Sequence, residues 1–70
     1  MRLSTRNQLS GTVAEVNLGE VMATVKVRLD GGDQTVTAAI TKEAAQDLGL
    51  AAGKPVTVLV KSTEVMLAVE

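Results

Sequence analysis

The 70-residue sequence contains no cysteine, no histidine and no aromatic residue. Without cysteine no disulfide can cross-link the chain, and without cysteine and histidine the common structural zinc sites are excluded. The Ser-His and Cys-His nucleophile systems are excluded for the same reason. Without Phe, Trp or Tyr the chain has no large side chain for a core and no surface on which single-stranded nucleic acid could stack. We therefore expect a binding module rather than an enzyme.

The chain also has almost no net charge and no long apolar run. Seven basic and eight acidic residues give a net charge of −1, which does not provide the basic surface that nucleic-acid binding requires. No basic, apolar signal stretch opens the chain, and no apolar run approaches the length of a membrane span. We expect residues 1–70 to form a single cytoplasmic domain with neither a nucleic acid nor a membrane as its partner.

Small aliphatic residues, in contrast, are abundant, and 46% of the chain is hydrophobic. A domain of this size buries only about 60% of the surface of its unfolded chain. Because cross-links, metals and large side chains are absent, a core of this kind is marginal for one copy alone. We therefore expect other copies of the chain to complete the fold.

Alternation of apolar and polar residues, which is typical of strands, runs through much of the chain. It is clearest over residues 21–29. A short helix is predicted at residues 42–48, because Thr41 can cap its start and Gly49 can end it. We expect Leu48 and Leu50 to anchor this helix to the sheet. Strands are predicted at residues 10–16, 21–29, 34–40, 56–60 and 65–69.

This succession of elements is that of a mainly β, five-stranded Greek-key barrel of the oligonucleotide/oligosaccharide-binding type, with one short helix between strands 3 and 4. A candidate site lies at the break between the last two predicted strands. Lys61 supplies a fixed positive charge there, Ser62 and Thr63 supply hydroxyl donors, and backbone N–H groups can be free. Such a break suits a compact tetrahedral dianion.

Four segments resemble the molbindins, small molybdate-binding proteins also called Mop domains. Residues 4–13 resemble their S-x-R-N-x-L-x-G-x-V opening, and residues 19–25 resemble a G-x-V-x-A-x-V strand. Residues 39–41 and 48–53 resemble an A-I-T and L-G-L-x-x-G helix frame, and residues 60–66 resemble a V-K-[AS]-T-x-V-M ending. The first and last segments are specific, and together the four cover nearly the whole chain.

The resemblance implies a cytoplasmic protein that binds molybdate or tungstate for molybdenum storage or homeostasis, without a covalent cofactor. It also implies a homohexamer, a trimer of dimers with oxyanions held between subunits. The opening segment of one subunit and the closing segment of another would form the main site, which here comprises Ser4, Thr5, Arg6, Asn7, Lys61, Ser62 and Thr63.

A second class of site, close to the threefold axis, would involve Glu20, Val21, Ile40 and Thr41. Many relatives have a serine at the position of Ala44, so a hydroxyl that could serve this second site is missing here.

Two other interpretations stay open. Residues 40–56 also resemble swapped-hairpin DNA-binding regulators of the antitoxin and transition-state type, although the slightly acidic chain lacks the charge that this function requires. A ligand-free oligomerisation module would explain the small core, but it leaves the two donor-rich ends of the chain without a role.

Overall fold

A computed structural model describes all residues from 1 to 70. Its strands form one antiparallel sheet in the order β3-β2-β1-β4, curled into a half-barrel. The prediction of a mainly β fold with one short helix after the third strand is confirmed. No helix is long and apolar enough to span a membrane. The elements are β1 (Asn7–Leu18), β2 (Met22–Leu29), β3 (Thr35–Thr41), α1 (Lys42–Asp47), β4 (Pro55–Val60) and a 3-10 turn (Ser62–Glu64).

The long strand β1 connects the two halves of the sheet, since it pairs with both β2 and β4. Its register against β2 shifts between Val13 and Glu15, and a bulge of this kind bends a strand. Gly11 is buried where β1 passes closest to β2. A Cβ at this position would lie 2.7 Å from both the Arg28 carbonyl oxygen and Val27 Cγ1, so the close approach requires glycine.

The inner face of the curled sheet holds a small buried cluster of Val13, Val25 and Val27. Ala23 is also buried, and together with Val25 and Val27 it confirms the alternation predicted for the second strand. Alternation over residues 21–29 predicts Val21 on the same face, but Val21 precedes β2 and 71% of it is exposed. The buried, inward-facing residues of β2 therefore begin at Ala23.

Helix α1 begins and ends as its sequence predicts. The Ala44 N–H donates to Thr41 Oγ1 over 3.0 Å, which is the N-cap bond expected of threonine. Gly49 follows the helix with a φ of +62°, a conformation that glycine adopts without steric cost. Lys54 Nζ donates to the carbonyls of Leu48 and Gly49, so a cation satisfies the carbonyl end of the helix.

The contacts of α1 with the sheet differ from the expectation. Ala45 is the buried residue of the helix, and Leu50 packs against the valine cluster. Leu48 does not anchor the helix, because 60% of it is exposed. A small alanine makes the contact here since it lets the helix lie close to the sheet.

The fifth strand predicted at residues 65–69 is not formed in the single chain, so the five-stranded Greek-key barrel is not confirmed. Residues 65–70 are all exposed, with Met66, Leu67 and Val69 between 91% and 97% accessible. The sheet ends at β3 on one side and at β4 on the other. A strand needs a hydrogen-bonding neighbour, and in the single chain this segment has none.

The single chain leaves much of its surface uncovered. Its accessible area is 5601 Å², whereas a compact protein of this mass exposes roughly 4,200 Å². Only six residues are buried. The open side of the half-barrel is an apolar groove of about 260 Å³, lined by Val13, Val25, Val27, Ala38, Ile40, Leu48, Leu50, Val56, Thr57, Val58 and Leu59.

We expect Gly11→Ala to lower the free energy of unfolding by about 1–3 kcal/mol, the usual cost of an added methyl group in a filled site. Gly32→Ala is the matched control, because a Cβ at Gly32 meets no atom within 4 Å. Chemical denaturation at equal protein concentration measures both variants. Equal stability of the two variants would contradict the close approach of β1 to β2.

Candidate functional site

The pairing of β1 with β4 brings the two donor-rich ends of the chain together. Asn7, the first residue of β1, lies opposite Val60, the last residue of β4. Because the two strands are antiparallel, residues 4–6 and 61–63 leave the sheet at the same corner. Fifty-three positions separate Asn7 from Val60 in the sequence, so only the folded sheet creates this proximity.

The first cavity, which lies at this corner, has a volume of about 450 Å³. Six of the seven residues expected in the main oxyanion site line it. The structure brings the opening and closing segments of one chain together at this cavity. The lining residues are Ser4, Thr5, Arg6, Leu59, Lys61, Ser62 and Thr63.

The chemistry of the first cavity is that of an anion site. Arg6 and Lys61 supply two positive charges, four hydroxyl side chains supply neutral donors, and no carboxylate lines the cavity. Hydrogen bonds from cationic donors to an anion are roughly twice as strong as neutral ones. Two cations can balance the charge of one dianion, while the hydroxyls can donate to its remaining oxygens.

Leu59 is the one apolar residue that lines the first cavity, and it was not among the expected site residues. Its position near the end of β4 provides a signal for it, because this strand leads directly into the closing segment. Leu59 precedes Lys61 by two positions, and its pairing partner in β1 is Gln8. It contributes an apolar wall to an otherwise polar site.

Asn7 is the expected site residue that does not line the first cavity. Its side-chain Nδ2 donates to the Val60 carbonyl over 3.0 Å, so the amide joins β1 to β4. The neighbouring Gln8 makes a similar bond, in which Nε2 donates to the Thr5 carbonyl over 2.8 Å. Both amides therefore contact the backbone of the segments that line the cavity.

The closing side of the first cavity is a single 3-10 turn. The Glu64 N–H donates to the Lys61 carbonyl over 2.9 Å, and the Val65 N–H donates to the Ser62 carbonyl over 3.4 Å. Residues 61–64 are all exposed. The turn thus presents its side chains at the surface and ends where the exposed C-terminal segment begins.

A second cavity, of about 420 Å³, contains three of the four residues expected in the second class of site. Ile40 is the exception, because it packs against the valine cluster. Two carboxylates and one lysine line this cavity, a charge balance that opposes a dianion. The Ala44 N–H is already bonded to Thr41. The lining residues are Glu20, Val21, Thr41, Lys42, Glu43 and Gln46.

Comparison with protein-family models matches residues 3–67 to the TOBE domain. Among curated proteins, the chain is 43% identical over 67 residues to molybdenum-pterin-binding protein 3 of Clostridium pasteurianum, covering 96% of this chain and 97% of that protein. It is 46% identical over 70 residues to molybdenum transport protein ModE of Azotobacter vinelandii. In that case all of this chain matches 26% of the longer protein.

Two solved structures share the fold. A molybdate-binding protein from Sporomusa ovata superimposes with a TM-score of 0.89 at 40% identity, covering 97% of this chain and 98% of that one. The cytoplasmic molybdate-binding protein ModG, crystallised with molybdate bound, superimposes with a TM-score of 0.82 at 38% identity. That match covers 96% of this chain and 53% of ModG.

Proposed function

The chain belongs to the molbindin, or Mop, family of TOBE domains, and on that premise we propose that it binds molybdate in the first cavity. The observation that carries the proposal is the convergence of two cations and four hydroxyls, with no carboxylate, at one corner of the sheet. We propose further that it is a non-enzymatic cytoplasmic protein of molybdenum storage or homeostasis. The related ModG is named a cytoplasmic molybdate-binding protein.

In the proposed complex, Arg6 and Lys61 balance the two negative charges of the oxyanion. Ser4, Thr5, Ser62 and Thr63 donate to its oxygens through their hydroxyl groups. Tungstate has the same charge and shape as molybdate and is expected to bind in the same way. Sulfate is smaller, so donors held at a fixed spacing should bind it less well.

The main site is completed at a subunit interface in this proposal. The first cavity is open to solvent in the single chain, and Arg6 and residues 61–63 are exposed. A dianion is bound more tightly where water is excluded, because each charged hydrogen bond is then stronger. We propose that a neighbouring subunit covers the cavity and that the assembly is a homohexamer built as a trimer of dimers.

The same assembly would restore the fifth strand. Val65, Leu67 and Val69 alternate along the exposed C-terminal segment, as one face of a strand requires. The apolar groove lies between the free edges β3 and β4. We propose that residues 65–69 of a second copy occupy this groove, pair with a free edge and close the five-stranded Greek-key barrel. Burying this apolar surface supplies the stability that one copy lacks.

The second class of oxyanion site, at Glu20, Val21, Ile40 and Thr41, has weaker support. Three of these residues line one cavity, but Glu20 and Glu43 repel a dianion unless another subunit adds positive charge. Ala44 also supplies no hydroxyl that could donate to an oxyanion there. We therefore assign the principal binding to the first cavity.

The swapped-hairpin DNA-binding alternative has no comparable support. The chain matches a TOBE domain over residues 3–67, and its net charge of −1 provides no basic face. The ligand-free module accounts for the apolar groove, but it gives no reason for two cations and four hydroxyls to meet at one corner. Binding measurements on the following variants distinguish the ligand-free module from a molybdate-binding protein.

We expect Lys61→Ala to weaken molybdate binding by about 1.5–3 kcal/mol, because it removes a charge-assisted hydrogen bond. Ser62→Ala should cost less, about 0.5–1.5 kcal/mol, because it removes one neutral donor. Lys26→Ala is a matched control, since Lys26 is an exposed lysine on β2 that lines no cavity. Isothermal titration with sodium molybdate measures all three variants, and unchanged affinities for Lys61→Ala and Ser62→Ala would place the site elsewhere.

We expect Leu67→Asp to dissociate the assembly, because Leu67 lies on the face of the C-terminal segment that enters the apolar groove. Met66→Asp is the matched control, since Met66 is equally exposed in the single chain but lies on the opposite face. Sedimentation velocity at micromolar concentration distinguishes the two variants. An oligomer that tolerates Leu67→Asp as well as Met66→Asp would show that this segment does not fill the groove.

A further inference from the structure

Two adjacent side-chain amides, Asn7 and Gln8, stand at the start of β1. Successive residues of a strand point to opposite faces, so the two amides leave the backbone in opposite directions. Each donates one hydrogen bond to a main-chain carbonyl: Asn7 to that of Val60, over 3.0 Å, and Gln8 to that of Thr5, over 2.8 Å.

The two carbonyls share one property. Each belongs to the residue that directly precedes a cationic residue of the first cavity, since Val60 precedes Lys61 and Thr5 precedes Arg6. A peptide unit is planar, so its C=O and the following N–H are fixed relative to each other. A bond that holds the carbonyl therefore also fixes where the backbone of the next residue begins.

We propose that Asn7 and Gln8 are positioning residues of the oxyanion site, which hold the peptide planes before Lys61 and Arg6. This inference rests on the proposed function. It replaces the expected role of Asn7 as a direct oxyanion ligand, because Asn7 does not line the first cavity and its Nδ2 donates to Val60.

The need for such positioning follows from where the cations lie. Arg6 precedes β1 and Lys61 follows β4, so both lie outside the strand pairing. Both are exposed, and the Lys61 carbonyl accepts from the Glu64 N–H in the 3-10 turn. Ordering a flexible segment on binding costs free energy, and a segment that is already held avoids that cost.

Positioning affects selectivity as well as affinity. Two cations attract any dianion, so loosely held cations rank sulfate and molybdate alike. Donors at a fixed spacing favour the anion whose size matches that spacing. Removal of the two side-chain hydrogen bonds, from Asn7 and Gln8, should therefore weaken molybdate binding more than sulfate binding. A general loss of stability has no reason to change the ratio of the two affinities.

The test uses Asn7→Leu and Gln8→Met, which remove the donors at nearly constant side-chain size. Asn17→Leu and Gln34→Met are the matched controls. Asn17 Nδ2 donates to Glu15 Oε2 over 2.8 Å near the far end of β1, and Gln34 precedes β3. Isothermal titration of each intact protein with sodium molybdate and with sodium sulfate gives both affinities.

We expect each of Asn7→Leu and Gln8→Met to lose about 10-fold in molybdate affinity, the lower end of the range for residues that orient ligating groups. The molybdate-to-sulfate ratio should fall, and both control variants should match the wild type. If Asn7→Leu fails to assemble, Gln8→Met decides, because its hydrogen bond lies at the exposed surface.

Two results would overturn the inference while leaving the proposed function intact. One is wild-type affinity and selectivity in Gln8→Met and in any assembled Asn7→Leu. The other is an equal loss of molybdate and sulfate affinity, which would indicate general loosening. A wild-type protein that does not bind molybdate would instead overturn the proposed function, and this inference with it.

Discussion

The pairing of β1 with β4 is the interaction on which the rest of the structure depends. It joins residues up to 53 positions apart, and it brings Arg6 and Lys61 to one cavity. Gly11 and the bulge after Val13 allow β1 to curve between its two partners. Loss of this pairing would separate the cations, open the sheet and leave neither a site nor a groove.

The second constraint is the shortage of buried surface. A sheet built from valine and alanine, without aromatic side chains, buries one small cluster and leaves about 1,400 Å² more surface exposed than a compact protein of this mass. The exposed C-terminal segment and the open groove both contribute to this additional exposed surface. The 3-10 turn that leads into that segment also lines the first cavity. The proposed assembly and the proposed oxyanion site therefore involve neighbouring stretches of the same chain.

Much of this could be predicted from the sequence, because the relevant signals are local. Alternation predicts the strands, Thr41 and Gly49 predict the limits of α1, and the motifs at the two ends name six of the residues that line the first cavity. The strand predicted at residues 65–69 is not formed in the single chain, because a strand needs a pairing neighbour and the sequence does not specify one. The predicted alternation of that segment indicates a strand but not which chain it joins.

Three residues lie elsewhere in the single chain than their sequence patterns predict. Asn7 and Ile40 belong to site motifs, yet Asn7 bonds a carbonyl across the sheet and Ile40 packs, partly buried, against the valine cluster. Leu48 matches a helix-anchoring pattern but stays exposed, because Ala45 makes the contact with the sheet. Local sequence gives the type of element, whereas long-range packing decides which side chains reach the cavity.

Native mass spectrometry with and without molybdate is the most direct test of molybdate binding by an assembled protein, because it measures subunit number and bound oxyanion together. We expect a hexamer whose mass increases by whole numbers of molybdate ions. A folded monomer, or an oligomer of unchanged mass at saturating molybdate, would contradict it.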